Sequence, residues 1–208
     1  LEAVEDANPW FLLVSSGAVY GNVPWQDLPI NEKSATAPLT EYALTKVAQE
    51  ELLRGASDTL KGLCIVRPSN LIGPGLSEGF FLGRVLKQIH DLSSSENLPR
   101  ILNTGSLDAS RDFIDARDAS SAISLLTRHG KTGLFNLSTG QEIRLEDAVQ
   151  LCMPNHVPAI TIKQDKGADQ NPIKRQILDN TKLMKAVKWS PKYTFRQSVD
   201  DMRITLAS

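Results

Sequence analysis

Residues 10–21 read WFLLVSSGAVYG, a continuous apolar run that ends in two serines and a glycine-bounded turn. Hydrophobicity that is continuous rather than alternating marks a strand covered on both faces of a parallel sheet, so Phe11 to Ser15 are expected to form a central strand. Outward from it, a polar, proline-bearing stretch from Val23 to Pro38 leads into LTEYALTKVAQEELLRGA at residues 39–56. That segment is rich in helix formers, with Thr36 or Thr40 available as its cap. Residues 62–75, GLCIVRPSNLIGPG, repeat the order of glycine, apolar strand and Pro/Gly break and place a second strand at Leu63 to Arg67. Strand, helix and strand in this order form a βαβ unit with parallel strands.

The rest of the chain extends the pattern. FFLGRVLKQI (80–89) has helical period, SSSENLP (93–99) is a loop, and RDFIDARDASSAISLLTR (111–128) joins a short strand to an amphipathic helix. GLFNLSTG (133–140) supplies a third apolar strand, LEDAVQLCM (145–153) a helix and AITIKQD (159–165) a short strand; a loop follows from Asp165 to Asn171. DNTKLMKAV (179–187) and FRQSVDDMRITLA (195–207) read as closing helices, and LEAVEDA (1–7) as the tail of another. The class is α/β, with at least three parallel strands and a mixed tail forming a smaller lobe. Such a sheet is too small to stand alone, so further strands are expected beside Phe11 to Ser15, because an uncovered strand edge is a bare pairing template.

Composition narrows the function. The 208 residues carry 23 basic and 24 acidic side chains, a net charge of -1, and no basic block, which gives no support to nucleic-acid binding. Cys64 and Cys152 have neither a zinc-ligand spacing nor a disulfide framework, which points to a reducing cytosol. No apolar run approaches the roughly 20 residues that cross a bilayer.

Four sets of residues have chemical potential. Tyr42 and Lys46 stand at i and i+4, on one helix face. A tyrosine hydroxyl is a weak acid at neutral pH, and a neighbouring ammonium favours its anion, so the pair suits proton donation to a carbonyl oxygen. By itself the spacing is equally that of a solvated helix face. Ser16 falls at the carboxyl end of a parallel strand, where open α/β sheets collect ligands, although serines there often only satisfy turn backbone. In RPSNLIGPG, Gly73, Gly75 and Gly79 do not make a phosphate loop, since the spacing is wrong and Pro74 lacks an N–H; Asn70 is instead a candidate partner for a sugar hydroxyl. Arg111 and Arg175 are candidate forks for a diphosphate. Local pairing with Asp112, Asp115 or Asp118 is the alternative for Arg111 and the preferred reading for Arg117. His90, His129 and His156 share no metal spacing and are expected at the surface or at helix ends, and no serine lies in a GxSxG elbow.

In their order along the chain, SSGAVYG, YALTK, RPSNLIGPG, RDFIDARD, GLFNLSTG and LDNTKL…VKWSP resemble the extended short-chain dehydrogenase/reductase family that acts on nucleotide sugars. Two further stretches, IGPGLSEGFFLGRVLKQI and ILNTGSLDASRDFIDARDASSA, are most similar to its GDP-4-keto-6-deoxy-mannose reductase branch. The resemblance implies the C-terminal part of a Rossmann-type parallel sheet plus a smaller mixed α/β substrate lobe. The corresponding domains are residues 1–73 and 111–140 for the dinucleotide-binding part and 74–110 and 141–208 for the substrate lobe. It implies catalysis by Ser16, Tyr42 and Lys46, with Tyr42 exchanging the proton and Lys46 bonding the nicotinamide ribose. Pro68 borders the nicotinamide, Asn70 contacts the sugar, and Arg111 and Arg175 contact the diphosphate.

The implied cofactor is NAD or NADP, the ligand a nucleotide-diphosphate sugar, the state a cytoplasmic homodimer through the Tyr42/Lys46 helix, and the partners neither nucleic acid nor membrane. The expected reaction is reduction of a 4-keto sugar nucleotide. A 4-epimerase of the same family is the alternative, and a non-catalytic nucleotide-sugar-binding or assembly protein the alternative of another class. Gly17 and Ala18 stand where dehydratases usually carry acids, which speaks against dehydration. The family's Gly-rich fingerprint would lie roughly 100 residues before Leu1, so these 208 residues are not expected to seat the cofactor's pyrophosphate.

Overall fold

A computed structural model of the chain describes residues 8–94, 99–153, 159–165 and 173–207. Its regular elements are β1 (Trp10–Val14), α1 (Glu41–Gly55), β2 (Gly62–Pro68), β3 (Asn70–Ile72), α2 (Phe81–Ser93), β4 (Ile101–Thr104), β5 (Ser110–Arg111), β6 (Phe113–Asp115) and α3 (Ala116–Arg128). Then come β7 (Gly133–Leu137), β8 (Ile143–Arg144), α4 (Leu145–Cys152), β9 (Thr161–Gln164), β10 (Arg175–Gln176), α5 (Thr181–Val187) and α6 (Phe195–Ala207). The expected helix at residues 1–7, His156 and most of the expected loop after Asp165 lie outside the described residues.

The three long apolar runs form one parallel sheet in the order β1-β2-β7, with Val14 opposite Val66 and Val66 opposite Phe135. Among the described residues β1 stands at the edge of this sheet, on the side where the sequence reading expects further strands. The central strand of the three is β2, whose residues from Cys64 to Pro68 are buried, whereas β1 is half-buried and Val14 is exposed. Among the described residues β1 pairs along one edge alone.

Local chemistry starts the helices where the sequence suggests. Thr40 caps α1 by accepting from the Ala43 N–H at 3.1 Å, and Asp115 caps α3 by accepting from the Arg117 N–H at 2.8 Å. Between β1 and α1, Gly21 turns the chain with φ 65°, and a Cβ there would sit 1.9 Å from the Ala37 carbonyl oxygen, so no other residue fits.

Cys64, Val66, Phe135 and Leu137 of the sheet pack with Ala122 and Leu126 of α3 and Leu183 of α5. A second cluster joins Leu82 and Leu86 of α2 to Leu102, Val149 and Val199, from β4, α4 and α6. Short pairings connect the two: β3 with β6, β4 with β9, and β5 between β10 and β8. Arg111 ends β5, and Asp112 is the single residue between it and β6.

Candidate active site

The parallel sheet delivers its strand ends to one place. The β1–β2 ladder runs one residue past β1, through the Ser15 N–H to the Val66 carbonyl at 2.7 Å, and Ser16 follows. The Ser69 N–H holds β2 to Leu137 in the same way at 2.8 Å. Ser16, Tyr42, Pro68, Asn70, Phe80 and Phe81 are among the residues around a cavity of about 350 Å³ at these ends. Ser16 Oγ accepts from the Ala18 N–H at 3.1 Å, the turn-satisfying role, which leaves its O–H able to donate.

Tyr42 is 56% exposed, and Lys46 Nζ lies 5.9 Å from its ring centroid while donating to the Val14 carbonyl at 3.0 Å. That bond fixes the amine at the end of β1. Asn70 donates to the Asp112 carbonyl at 3.0 Å, and its side-chain oxygen has no partner among the described residues.

A second cavity of about 180 Å³ shares Asn70, Phe81 and Phe113 with the first. Arg84 and Arg111 line it, and none of its lining residues is acidic. Arg111 is buried and donates only to the Ser110 and Ile173 carbonyls, both at 2.8 Å; burial alone pulls its pKa down. Among the described residues no carboxylate pairs with it, so the local-pairing alternative for Arg111 finds no partner there. Thr104, also in the lining, has a buried hydroxyl with no partner among the described residues. Among the described residues the lining of this cavity thus holds two guanidiniums and no carboxylate.

The other candidates sit elsewhere. Arg175 lines neither cavity and makes a fork to Glu142, with both contacts at 2.6 Å. Arg117 pairs with Asp115 and Asp201, as its local reading requires. His90 and His129 lie in the last turn of α2 and at the C-cap of α3. Burial pushes the Cys64 thiol up to about 11 and Cys152 to about 12, which makes both poor nucleophiles.

Sequence reasoning missed Arg84, which the pattern of α2 presents as an ordinary surface cation. It also missed two buried carboxylates. Asp112 accepts from Ser69, from the N–H and hydroxyl of Thr139, and from the Gly140 N–H, and burial still holds its pKa above the usual value. Glu50 shows the opposite balance. Burial pushes it up, but hydrogen bonds from Arg67 and Ser15 and the Arg67 charge outweigh this and hold it below 4.5. A depressed carboxylate stabilises the fold above its unfolded pKa, and that contribution disappears as pH falls through the folded one. The melting temperature is therefore expected to drop on acidification below 4.5, and Glu50→Gln to flatten that slope in a Tm-against-pH series.

Comparisons with known proteins show the family of the chain. The family model described as GDP-mannose 4,6 dehydratase matches residues 1–202. The GDP-6-deoxy-D-mannose reductase of Pseudomonas aeruginosa is 33% identical over 193 residues, covering 91% of this chain and 63% of the relative. The dTDP-L-rhamnose 4-epimerase of Burkholderia thailandensis is 23% identical, covering 94% of this chain and 62% of the relative. The chain thus spans somewhat less than two thirds of the length of these relatives. Among solved structures, RMD from Pseudomonas aeruginosa complexed with NADPH superposes with a TM-score of 0.84 at 31% identity, covering 94% of this chain and 66% of that one. The dTDP-glucose 4,6-dehydratase of Bacillus anthracis in complex with NAD has a TM-score of 0.83 at 20% identity over 99% of this chain and 64% of that one, a likeness of fold alone. A Rossmann-type α/β frame, a Ser/Tyr/Lys set at its strand ends and a family match over almost the whole chain lead to one assignment: the chain belongs to the GDP-mannose 4,6 dehydratase family of extended short-chain dehydrogenases/reductases.

Proposed function

We propose that the chain carries the reaction centre and substrate lobe of an NAD(P)-dependent nucleotide-sugar oxidoreductase that reduces a 4-keto sugar. The observation that carries this reading is a pair of cavities that share Asn70, Phe81 and Phe113, with Ser16 and Tyr42 around the first and Arg84 and Arg111, without an acidic lining residue, in the second. The residues present fit the nicotinamide-ribose end of NAD(P), because Lys46 is a cation anchored beside Tyr42 and Pro68 closes the same cavity. Bound, that cofactor supplies or accepts hydride at the sugar C4.

The chain's own groups do the rest. Tyr42 donates the proton to the carbonyl oxygen, Ser16 donates a hydrogen bond that orients it, and Lys46 holds the ribose. Asn70 offers its oxygen to a sugar hydroxyl. Arg84 and Arg111 hold the diphosphate; Arg175 joins them only if its fork to Glu142 opens. Leu44, Ala48 and Leu52 form an exposed stripe on α1 turned away from Tyr42 and Lys46, which we assign to homodimer pairing. Among the described residues no helix is long and apolar enough to cross a membrane.

The test uses the intact protein, with whatever residues flank these 208, supplied with NADPH and a GDP-4-keto-6-deoxy sugar. Stoichiometric loss of NADPH absorbance is expected. Epimerised product without net NADPH loss favours the epimerase, a reading supported by the 4-epimerase among the relatives. Binding without turnover sinks the enzymatic reading. Arg84→Ala is expected to raise KM for the nucleotide sugar about tenfold with kcat unchanged, the pattern of a lost ground-state contact. An unchanged KM would put the diphosphate elsewhere.

A further inference from the structure

We infer that Glu50 is a positioning residue: it sets the placement of the helix that carries Tyr42 and Lys46 against the two strand ends that carry Ser16 and Pro68. The inference rests on the oxidoreductase reading above and asks how that site is held in register. Glu50 lies one turn beyond Lys46 on α1 and is only 1% exposed. Its Oε1 accepts from Ser15 Oγ at 2.5 Å and from Arg67 Nε at 2.9 Å, and its Oε2 from Arg67 Nη2 at 2.5 Å and Arg54 Nη2 at 3.2 Å.

The partners are informative. Ser15 immediately precedes Ser16, and Arg67 immediately precedes Pro68. One carboxylate thus grips the residue next to each strand-borne member of the site from the helix that bears the other two. The tie continues into the third strand: Arg67 stacks 4.6 Å from the Tyr20 ring centroid, and Tyr20 donates to Asn136 Oδ1 on β7 at 2.7 Å.

Stability alone is a poor account of such a pair. Removing two charges from water costs about as much as their attraction returns, and an apolar pair of similar volume often holds a fold as well. An apolar pair does not provide direction. Three bonds of defined geometry, one from Ser15 and two from Arg67, fix both the distance and the rotation of α1 over the strand ends, while Arg54 steadies the carboxylate from α1 itself; a displacement of about 1 Å at a reacting centre can cost roughly a hundredfold in rate.

Two variants of the intact protein separate positioning from packing. Ser15→Ala cuts the link to the serine strand and leaves the ion pair. Glu50→Leu/Arg67→Met replaces the pair by apolar side chains. Tm, NADPH affinity by fluorescence and steady-state kinetics are measured, with Tyr42→Phe as reference.

Both variants are expected to melt close to the parent, to lose kcat by about tenfold or more with KM for the nucleotide sugar unchanged, and, in the double variant, to bind NADPH more weakly. A double variant that keeps both the Tm and the kcat of the parent, while Tyr42→Phe is inactive, overturns the inference and leaves the function intact. Should the double variant not fold, parental kcat in Ser15→Ala overturns it equally. Parental turnover by Tyr42→Phe instead sinks the underlying reading of the site.

Discussion

Tyr42→Phe is expected to lower kcat for 4-keto reduction by about 10²- to 10⁴-fold while the affinities for NADPH and nucleotide sugar stay within about twofold. The substitution keeps the ring and removes one hydroxyl. Since Tyr42 is 56% exposed and packs against no buried cluster, its stability cost should stay within about 0.5 kcal/mol. In the proposed reading the ground-state contacts of the substrate lie mostly with Asn70, Arg84 and Arg111, which line the second cavity and which the change does not touch. What is lost is the proton that must reach the carbonyl oxygen as hydride reaches carbon.

Lys46 is a poor substitute, because its ammonium is held at the Val14 carbonyl at 3.0 Å and its remaining donors are assigned to the ribose. Ser16 can orient an oxygen but is a far weaker acid. Single-turnover kinetics beside equilibrium binding measure the two effects separately. Equal loss of both would make Tyr42 a packing residue and remove the reason for calling this site catalytic.

The reaction centre is far more legible in the sequence than the groups that hold it. Ser16, Tyr42 and Lys46 belong to a βαβ unit whose parts are contiguous, so a continuous apolar run, a capped helix and a second apolar run suffice to bring them together. The anion cavity is different. Arg84 sits where the period of α2 predicts a solvated side chain, and only the packing of that helix beside Asn103, Thr104 and Arg111 turns it towards a ligand.

Glu50 and Asp112 show the same limit. Each looks like a surface acid in one dimension, and each is buried because its partners come from other elements, such as Ser15 and Arg67 for one, Ser69 and Thr139 for the other. Arg175 errs the opposite way: a free cation in the sequence is half of a fork with Glu142 in the fold. Strands of two or three residues, such as β3, β5, β8 and β10, are too short to display any period.

Asp112→Ala is expected to cost about 4 kcal/mol of stability, the range reserved for buried networks, whereas Asp108→Ala on the exposed loop nearby should stay within about 0.5 kcal/mol. The reason lies in an asymmetry. Asp112 is fully buried, and desolvation raises its pKa above 3.8 although Thr139, Gly140 and Ser69 all donate to it and lower it. A raised carboxyl pKa means that stability is favoured below the unfolded pKa and is lost as pH rises through the folded one, so the ionised group is a net burden at neutral pH.

The alanine variant does not simply remove that burden. It strands four donors, the Ser69 and Thr139 hydroxyls and the Thr139 and Gly140 N–H groups, around the buried Asp112 position, of which the Ser69 hydroxyl is the most shielded from water. Asp112→Asn discards the charge, keeps an acceptor for Thr139 and Ser69, and orphans chiefly the Gly140 N–H. It should therefore cost clearly less than alanine, in an order opposite to that of a net-favourable ion.

Denaturant melts of the three variants decide the order. Because Asn70 hangs on the Asp112 carbonyl, through its N–H at 3.1 Å and its side chain at 3.0 Å, the alanine variant should also weaken nucleotide-sugar binding under conditions where it remains folded. If alanine and asparagine prove equally mild, the Asp112 network does not hold the junction between the two cavities, and the rigidity of Asn70 must come from β3 and β6 alone.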